Sequence, residues 1–301
     1  MSLRVWVRAM RLPFLQASLL PFFIGFAQAL YDGYFDLQML LVSLAGVVAL
    51  HIAANMLNDY FDFKSGDDLM VKHNNPFAGG SRVLPSGLIE LGDHLRVSLL
   101  MLAFGLAAGA YVTLVRGWPV LLLMLIAAIS VYFYTGPPLK LAHRGLGEFV
   151  VGMNFGLIAV GSYLAQTGSL GLGSVLACLL MGVLTSAILW INEFPDVAPD
   201  SSVGKRTLVV RLGFEKASLV FALLVGSSYV MLASFALLGL MPTPSLLALL
   251  SLPYAAKAAK TLRRRGNDPE ALIPGNLAML RMHLSFGLAL IASYLLCILL
   301  R

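Results

Sequence analysis

Two short segments hold the densest runs of carboxylates in this chain, NMLNDYFDFKSGDD at 55–68 and NEFPDVAPD at 192–200. In the first, Asn55, Asn58, Asp59 and Asp62 fall at i, i+3, i+4 and i+7, which is one face of a helix. Asp68 follows after Gly66, where the chain can turn. In the second, Asn192, Asp196 and Asp200 recur at i, i+4 and i+8. Asp and Asn oxygens are hard ligands suited to Mg2+, which prefers one or two carboxylates plus phosphate oxygens to a full protein cage. A diphosphate held between two such clusters would be neutralised through bridging metal ions, and its departure as a leaving group assisted electrostatically. Asp59, Asp62, Asp196 and Asp200 are therefore candidate catalytic groups, and with Asp68, Asn55 and Asn192 they are the candidate metal ligands. Lys72, Arg82, Lys140, Arg144 and Lys205 lie in the neighbouring polar segments and are candidates for the remaining phosphate oxygens. The plainer reading is two solvated helix ends. Carboxylates at a helix C-terminus oppose the macrodipole, however, so two such clusters call for a compensating cation or charged substrate.

The elements that must position these groups are membrane spans. The chain has 301 residues, 59% hydrophobic and only 12% charged, with a mean hydropathy of +0.85, which excludes an ordinary soluble domain. The basic start MSLRVWVRAMRLPF runs into an apolar stretch of spanning length with no small-residue cleavage site. Taking about 20 apolar residues per span, helices are expected near 13–31, 38–57, 95–115, 118–134, 147–166, 172–191, 218–240, 244–257 and 281–300. The fold class is all-α, a polytopic bundle of about nine spans in one domain over 1–301. With that count, every Lys and Arg except Arg116 and Arg301 falls on the side of the N-terminus, so the positive-inside bias predicts a cytoplasmic N-terminus. The basic excess of +6 is a topology signal, and nucleic acid is not expected as a partner. The long polar connections, 58–94 and 192–217, fall on the same side, as does the shorter 135–146, so the chemistry is expected on the cytoplasmic face. The two acidic motifs end the second and sixth spans. Four spans apart, they read as a parallel internal repeat of two four-helix halves plus one closing helix.

These residues resemble the UbiA superfamily of intramembrane prenyltransferases over nearly the whole chain. The resemblance rests on NDYFD with Asp68, on NEFPDVAPDSSVGKRTLVVRLG with its D-x-x-x-D followed by G-K-x-T-L, and on YTGPPLKLAHRGLGEF at 134–149. Within the superfamily the spacing of Asn55, Asn58, Asp59, Asp62, Gly66 and Asp68 is similar to the MenA branch, the 1,4-dihydroxy-2-naphthoate polyprenyltransferases. GLGE at 145–148 and FGLIAVGSYLAQTG at 155–168 point the same way. Pro195 departs from that branch, which carries a basic residue there, and with Pro199 it interrupts any regular helix. The resemblance implies bound Mg2+, a long prenyl diphosphate donor and an electron-rich aromatic acceptor, all reached from membrane lipid. Asn55, Asn58, Asp59, Asp62 and Asp68 would act with Asn192, Asp196 and Asp200 on metal and diphosphate. Arg82, Lys140 and Lys205 would clamp phosphate oxygens. Other acceptors in the superfamily, 4-hydroxybenzoate, homogentisate or a glyceryl phosphate lipid, stay open.

Ionisation of an allylic diphosphate gives a cation that a dry, aromatic-lined pocket must shield. Tyr134 and Tyr60 are candidates for facing it, and equally for membrane-interface tyrosines. Glu148 starts the fifth span and is either a base or acceptor anchor, or a cap favoured by the helix dipole. His143 sits in a basic loop within reach of substrate, while His51 and His283 read as packing residues. The five histidines show no metal-ligand spacing. Cys178 and Cys297 lie in apolar runs and read as inert packing. A transporter would place acids near the bilayer midplane, and these spans hold almost none.

Overall fold

The structure, a computed structural model, describes residues 2–301 and contains no strand among them. A short helix α1 (Leu3–Ala9) precedes a 3-10 turn at Leu12–Phe14, which leads into α2 (Gln16–Tyr31). α3 (Leu37–Ser65) begins at Asp36, whose side chain accepts the Met39 N–H at 3.0 Å. It runs past the expected apolar span through the whole first motif and stops at Gly66, in the left-handed region at φ 87°. A single turn, α4 (Asp67–Met70), follows. Beyond the loop 71–90 come α5 (Leu91–Arg116) and α6 (Trp118–Phe133). Then follow α7 (Gly147–Thr167), α8 (Leu172–Asn192), the short α9 (Val197–Ser202) and α10 (Leu208–Leu237). The chain ends with α11 (Leu252–Arg265) and α12 (Ile273–Leu299).

Among the described residues seven helices are long and apolar enough to cross a membrane, and α6 is a shorter apolar one. The expected span 244–257 is not one helix. Thr243–Ser251 is 3-10, and Pro253 lies in the first turn of α11. Proline is at home there, where its missing N–H costs nothing, but it cannot sit inside a continuous α-helix without breaking the ladder. α10 likewise begins earlier than expected and is broken at Gly213 (φ 71°, ψ 170°), which separates a cap segment from the spanning segment.

α7 packs closely on α8 because glycines meet: a Cβ on Gly182 would lie 2.6 Å from the Gly152 carbonyl oxygen. The main core gathers Leu184 of α8, Phe221 of α10 and Phe286 of α12, all fully buried. α12 also packs on α2 and closes the bundle. Leu114, Leu122, Leu223 and Leu237 stay exposed on the outside, as lipid-facing residues do. At one end, Arg116 pairs with Asp36 at 2.6 Å and Arg301 donates to the Tyr31 carbonyl at 2.7 Å. The acidic motifs lie at the other end, with α1 beside them, since Arg8 donates to the Ser81 carbonyl.

Candidate active site

The last turns of α3 present Asp59 and Asp62, 1% and 4% exposed. Asn58 donates to Asp62 Oδ2 at 2.7 Å, and Asp59 accepts the Ser81 N–H at 3.2 Å. The turn at Gly66 brings Asp67 and Asp68, also buried, back over the same end. From the other half, Asp196 lies 2.8 Å from His73 Nε2 and accepts the Gly79 N–H at 2.9 Å. The loop 71–90 thus ties one acidic motif to the other. Gly80 (φ 67°) passes between carboxylates: a Cβ there would lie 3.0 Å from Asp68 Oδ1 and 3.1 Å from Asp59 Oδ1. Only glycine allows the backbone so near both.

Lys205 joins the halves directly. Its Nζ lies 2.8 Å from Asp67, 3.2 Å from Asp200 and 3.7 Å from Asp62. Burial pulls its ammonium down, but Asp62, Asp200 and Asp67 outweigh that and hold it well above the ordinary lysine range. One ammonium does not balance the site. Burial, then the carboxylates of Asp59, Asp62 and Asp67, push Asp68 up to about 9. Burial pushes Asp200 up to about 8 despite Lys205, with Asp67 and Asp196 adding to it. Asp62 Oδ1, Asp67 Oδ1 and Asp68 Oδ2 are buried without a hydrogen-bond partner. Orphaned carboxylate oxygens of this kind fit a hard divalent cation. Among the described residues no three Asp, Glu, His or Cys side chains form a ready cage. The donor set therefore fits an ion that takes further ligands from a phosphate.

An open polar cavity of about 670 Å³ lies between the motifs, lined by Asn58, Asp62, Asp68, Asp196, Asp200 and Lys205 among others. A larger apolar cavity of about 1230 Å³ adjoins it between α3, α6, α7 and α8. The two share Arg11, Asn58, Tyr134, Leu189 and Asn192. Tyr134 and Asn192 therefore stand at the junction of the two cavities.

Several expected residues lie elsewhere. Asp59 sits behind the lining, held by Ser81 and covered by Gly80. Asn55 lines only the apolar cavity and donates to the His51 carbonyl at 2.8 Å. Asn192, Asp196 and Asp200 do not share one helical face. α8 ends at Asn192 and Pro195 leads into a turn, so Asp196 precedes α9 and Asp200 lies inside it. Arg82, in the left-handed region at φ 62°, donates to the Val71 carbonyl at 2.9 Å and braces the loop instead of lining the cavity. Lys140 is also outside the lining, at a left-handed turn that opens the 3-10 segment Leu141–Arg144. Lys72 and Arg144 are exposed. Glu148 is 2% exposed and accepts the Leu208 N–H at 2.6 Å, capping α10 from the start of α7. Its second neighbour is Glu193, whose carboxyl burial and Glu148 together raise well above the usual range. Tyr60 packs under Lys64, 5.5 Å from the ring centre, and lines neither cavity. His143 holds the Arg206 N–H through its carbonyl, while burial lowers its ring to about 4.

Sequence reasoning missed several partners. Asp67 is as buried as Asp68, a neighbour it could not be told from by letter. Arg11 lines both cavities from the turn before α2, a role that its place in a basic N-terminal run does not signal. Asn276 of α12, 1% exposed, donates to Asn192 Oδ1 at 2.8 Å and accepts from Asn75 at 3.2 Å. No signal marked it, because the last expected span begins at 281 whereas α12 begins at Ile273.

A family model described as UbiA prenyltransferase family matches residues 18–296. The chain is 27% identical to a 2-carboxy-1,4-naphthoquinone phytyltransferase of Synechocystis sp., over 97% of this chain and 93% of that protein. It is 31% identical to a 1,4-dihydroxy-2-naphthoate octaprenyltransferase of Escherichia coli (strain K12), over 90% of this chain and 88% of that protein. The fold matches that of a UbiA homolog from Archaeoglobus fulgidus bound to GPP and Mg2+, with TM-score 0.67, 17% identity, and 96% and 99% of the two chains covered. With the match running through both acidic motifs and all the spanning helices between them, this chain belongs to the UbiA prenyltransferase family.

Proposed function

We propose that this chain is an integral membrane enzyme that moves a polyprenyl group from a prenyl diphosphate to 1,4-dihydroxy-2-naphthoate. The observation that carries this reading is the pairing of cavities: a carboxylate-lined one opens into an apolar one across Asn58, Tyr134 and Asn192. A prenyl diphosphate has the same polarity, a highly charged head on an apolar tail. The relatives named above are a 2-carboxy-1,4-naphthoquinone phytyltransferase and a 1,4-dihydroxy-2-naphthoate octaprenyltransferase, which supports a carboxylated two-ring acceptor of this kind over others.

Asp62, Asp68, Asp196 and Asp200, with Asp59 behind them, would hold Mg2+. Bound there, Mg2+ supplies the positive charge that stabilises the departing diphosphate. Lys205, beside Asp62, Asp67 and Asp200, would add a point charge to the same oxygens, and Asn58 and Asn192 would orient the head group at the mouth of the apolar cavity. The allylic C–O bond breaks and its electron pair leaves with the diphosphate. Tyr134 presents its ring at the junction, where the carbon left behind carries positive charge. The acceptor carbon bearing the carboxylate attacks, and that carboxylate then leaves as carbon dioxide, returning its bonding pair to the ring. No proton has to be removed from that carbon, so the placement of Glu148 as a helix cap agrees with this chemistry.

The acidic end carries Arg8, Arg11 and the basic end of α11, which joins the loop 71–90 where Asn75 donates to the Pro269 carbonyl. By the positive-inside bias this end and the N-terminus face the cytoplasm. Incubation of the purified protein with a prenyl diphosphate, Mg2+ and one of three acceptors tests the assignment by mass spectrometry. The expected product is prenylated naphthoate lacking carbon dioxide. Prenylation of 4-hydroxybenzoate or homogentisate in its place would overturn the acceptor.

A further inference from the structure

The apolar cavity beside the acidic cluster is not apolar all the way round. Toward the middle of the bundle, five helices each lend it one polar side chain: Ser18 of α2, His51 of α3, Ser130 of α6, Asn154 of α7 and Thr185 of α8. His51 lies seven residues below Asn58 at the junction, Thr185 seven below Asn192, and Ser130 four below Tyr134. At the rise of an α-helix these steps are roughly 6 to 10 Å, so the polar groups form a belt within a turn of one depth. The rings of His51 and of Phe155, the residue after Asn154, are 6.0 Å apart, which puts the α3 and α7 members level. Polar side chains at membrane depth are costly, and are kept where they meet a partner.

Two members of the belt keep unused hydrogen-bonding groups. Asn154 turns its Nδ2 back to the Val150 carbonyl at 2.8 Å, and its Oδ1 has no partner among the described residues. Ser18 Oγ lies 2.8 Å from His51 Nδ1 and meets no other acceptor among them. The hydroxyl therefore donates to Nδ1, which leaves the ring proton on Nε2. That Nε2 is buried without a partner. One free donor and one free acceptor at one level suit a single hydroxyl group, which accepts and donates at once. A prenyl chain carries no such group, whereas the proposed acceptor does. We infer that His51 and Asn154 bind the 4-hydroxyl of 1,4-dihydroxy-2-naphthoate, and that this contact selects the dihydroxylated ring. This rests on the proposed transfer and deepens it by placing the acceptor. The carboxylate-bearing carbon must face Tyr134 at the junction, where the allylic cation forms. The allylic carbon, the new bond and one aromatic ring then fill the interval down to the belt, with the 4-hydroxyl deepest. That hydroxyl is meta to the attacked carbon and gives it little electron density, so it serves recognition and not reactivity.

The test compares 1,4-dihydroxy-2-naphthoate with 1-hydroxy-2-naphthoate, which lacks only the 4-hydroxyl, at saturating prenyl diphosphate and Mg2+ in detergent. For the wild type, kcat/KM is expected to favour the dihydroxylated acceptor about tenfold or more, because the analogue leaves buried polar groups unpaired. Asn154→Leu and His51→Phe should each lower that ratio at least about fivefold, the loss of one such hydrogen bond. Ser18→Ala, which removes the group that fixes the His51 tautomer, should lower it partway. Both acceptors are measured on one preparation, so the ratio does not depend on how much of a variant folds. A wild type that uses both acceptors alike, or variants that lose both alike with the ratio unchanged, would overturn the inference and leave the belt to ordered water. Wild-type turnover of neither naphthoate would instead strike the proposed function.

Discussion

Lys205 is bracketed by Asp62, Asp67 and Asp200, so its removal leaves buried carboxylates facing one another. Lys205→Met should cost about 3 kcal/mol of stability, the usual penalty of stranding buried charge. Because the missing charge is what a divalent cation supplies, saturating Mg2+ should restore much of the melting temperature while turnover stays low. Thermal denaturation with and without Mg2+ checks both halves of that statement. The carboxyls also fix a pH dependence. Asp68 and Asp200 lie near 9 and near 8 in the metal-free fold, raised above the ordinary carboxylate value. A raised carboxylate favours its proton in the folded state, so metal-free stability falls as pH climbs from the unfolded value through the folded one. A cation needs those groups ionised and must displace their protons. The increase in melting temperature on adding Mg2+ should therefore grow from about pH 6 to about pH 9. A shift independent of pH would show that these carboxyls do not hold the ion.

Elements place these groups by how they end. α3 carries its motif as helix up to Gly66, which is why the spacing of Asn58 and Asp62 could be read directly from periodicity. α8 does not: Pro195 ends the pattern, and Asp196 and Asp200 reach the site through a turn and the short α9. Glu148 caps α10, so Glu148→Gln should lower the melting temperature while kcat with saturating Mg2+ falls by less than about threefold. A collapse of kcat with unchanged stability would instead make it a chemical group. Most of the membrane spans and the helical face of the first acidic motif were legible in the sequence because apolar length and side-chain period are local properties. What was hidden depends on distant chain: the Gly79–Asp196 and Asn75–Asn276 contacts, the inward turn of Arg82, and the split of 243–265 into 3-10 and α-helix.

At the scale of the whole molecule, the bundle has two chemically distinct ends. Arg116 and Arg301 lie at one, the acidic motifs and nearly all other basic residues at the other. Single cysteines at exposed Ser201 and Leu170, on opposite ends, should be labelled by an impermeant thiol reagent from opposite sides of sealed vesicles, Ser201 from the cytoplasmic one. The reverse pattern would turn the proposed orientation over. On the proposed mechanism, carboxylates from two halves of the chain act on one diphosphate through Mg2+. Diphosphate release from a prenyl diphosphate by purified protein tests it most directly, with Asp62→Asn of the first half and Asp196→Asn of the second compared with wild type, before and after chelation. Release should need Mg2+ and fall at least about a hundredfold in each variant, the loss expected when transition-state charge stabilisation is removed. Release that survives chelation, or that survives either substitution, would contradict the account.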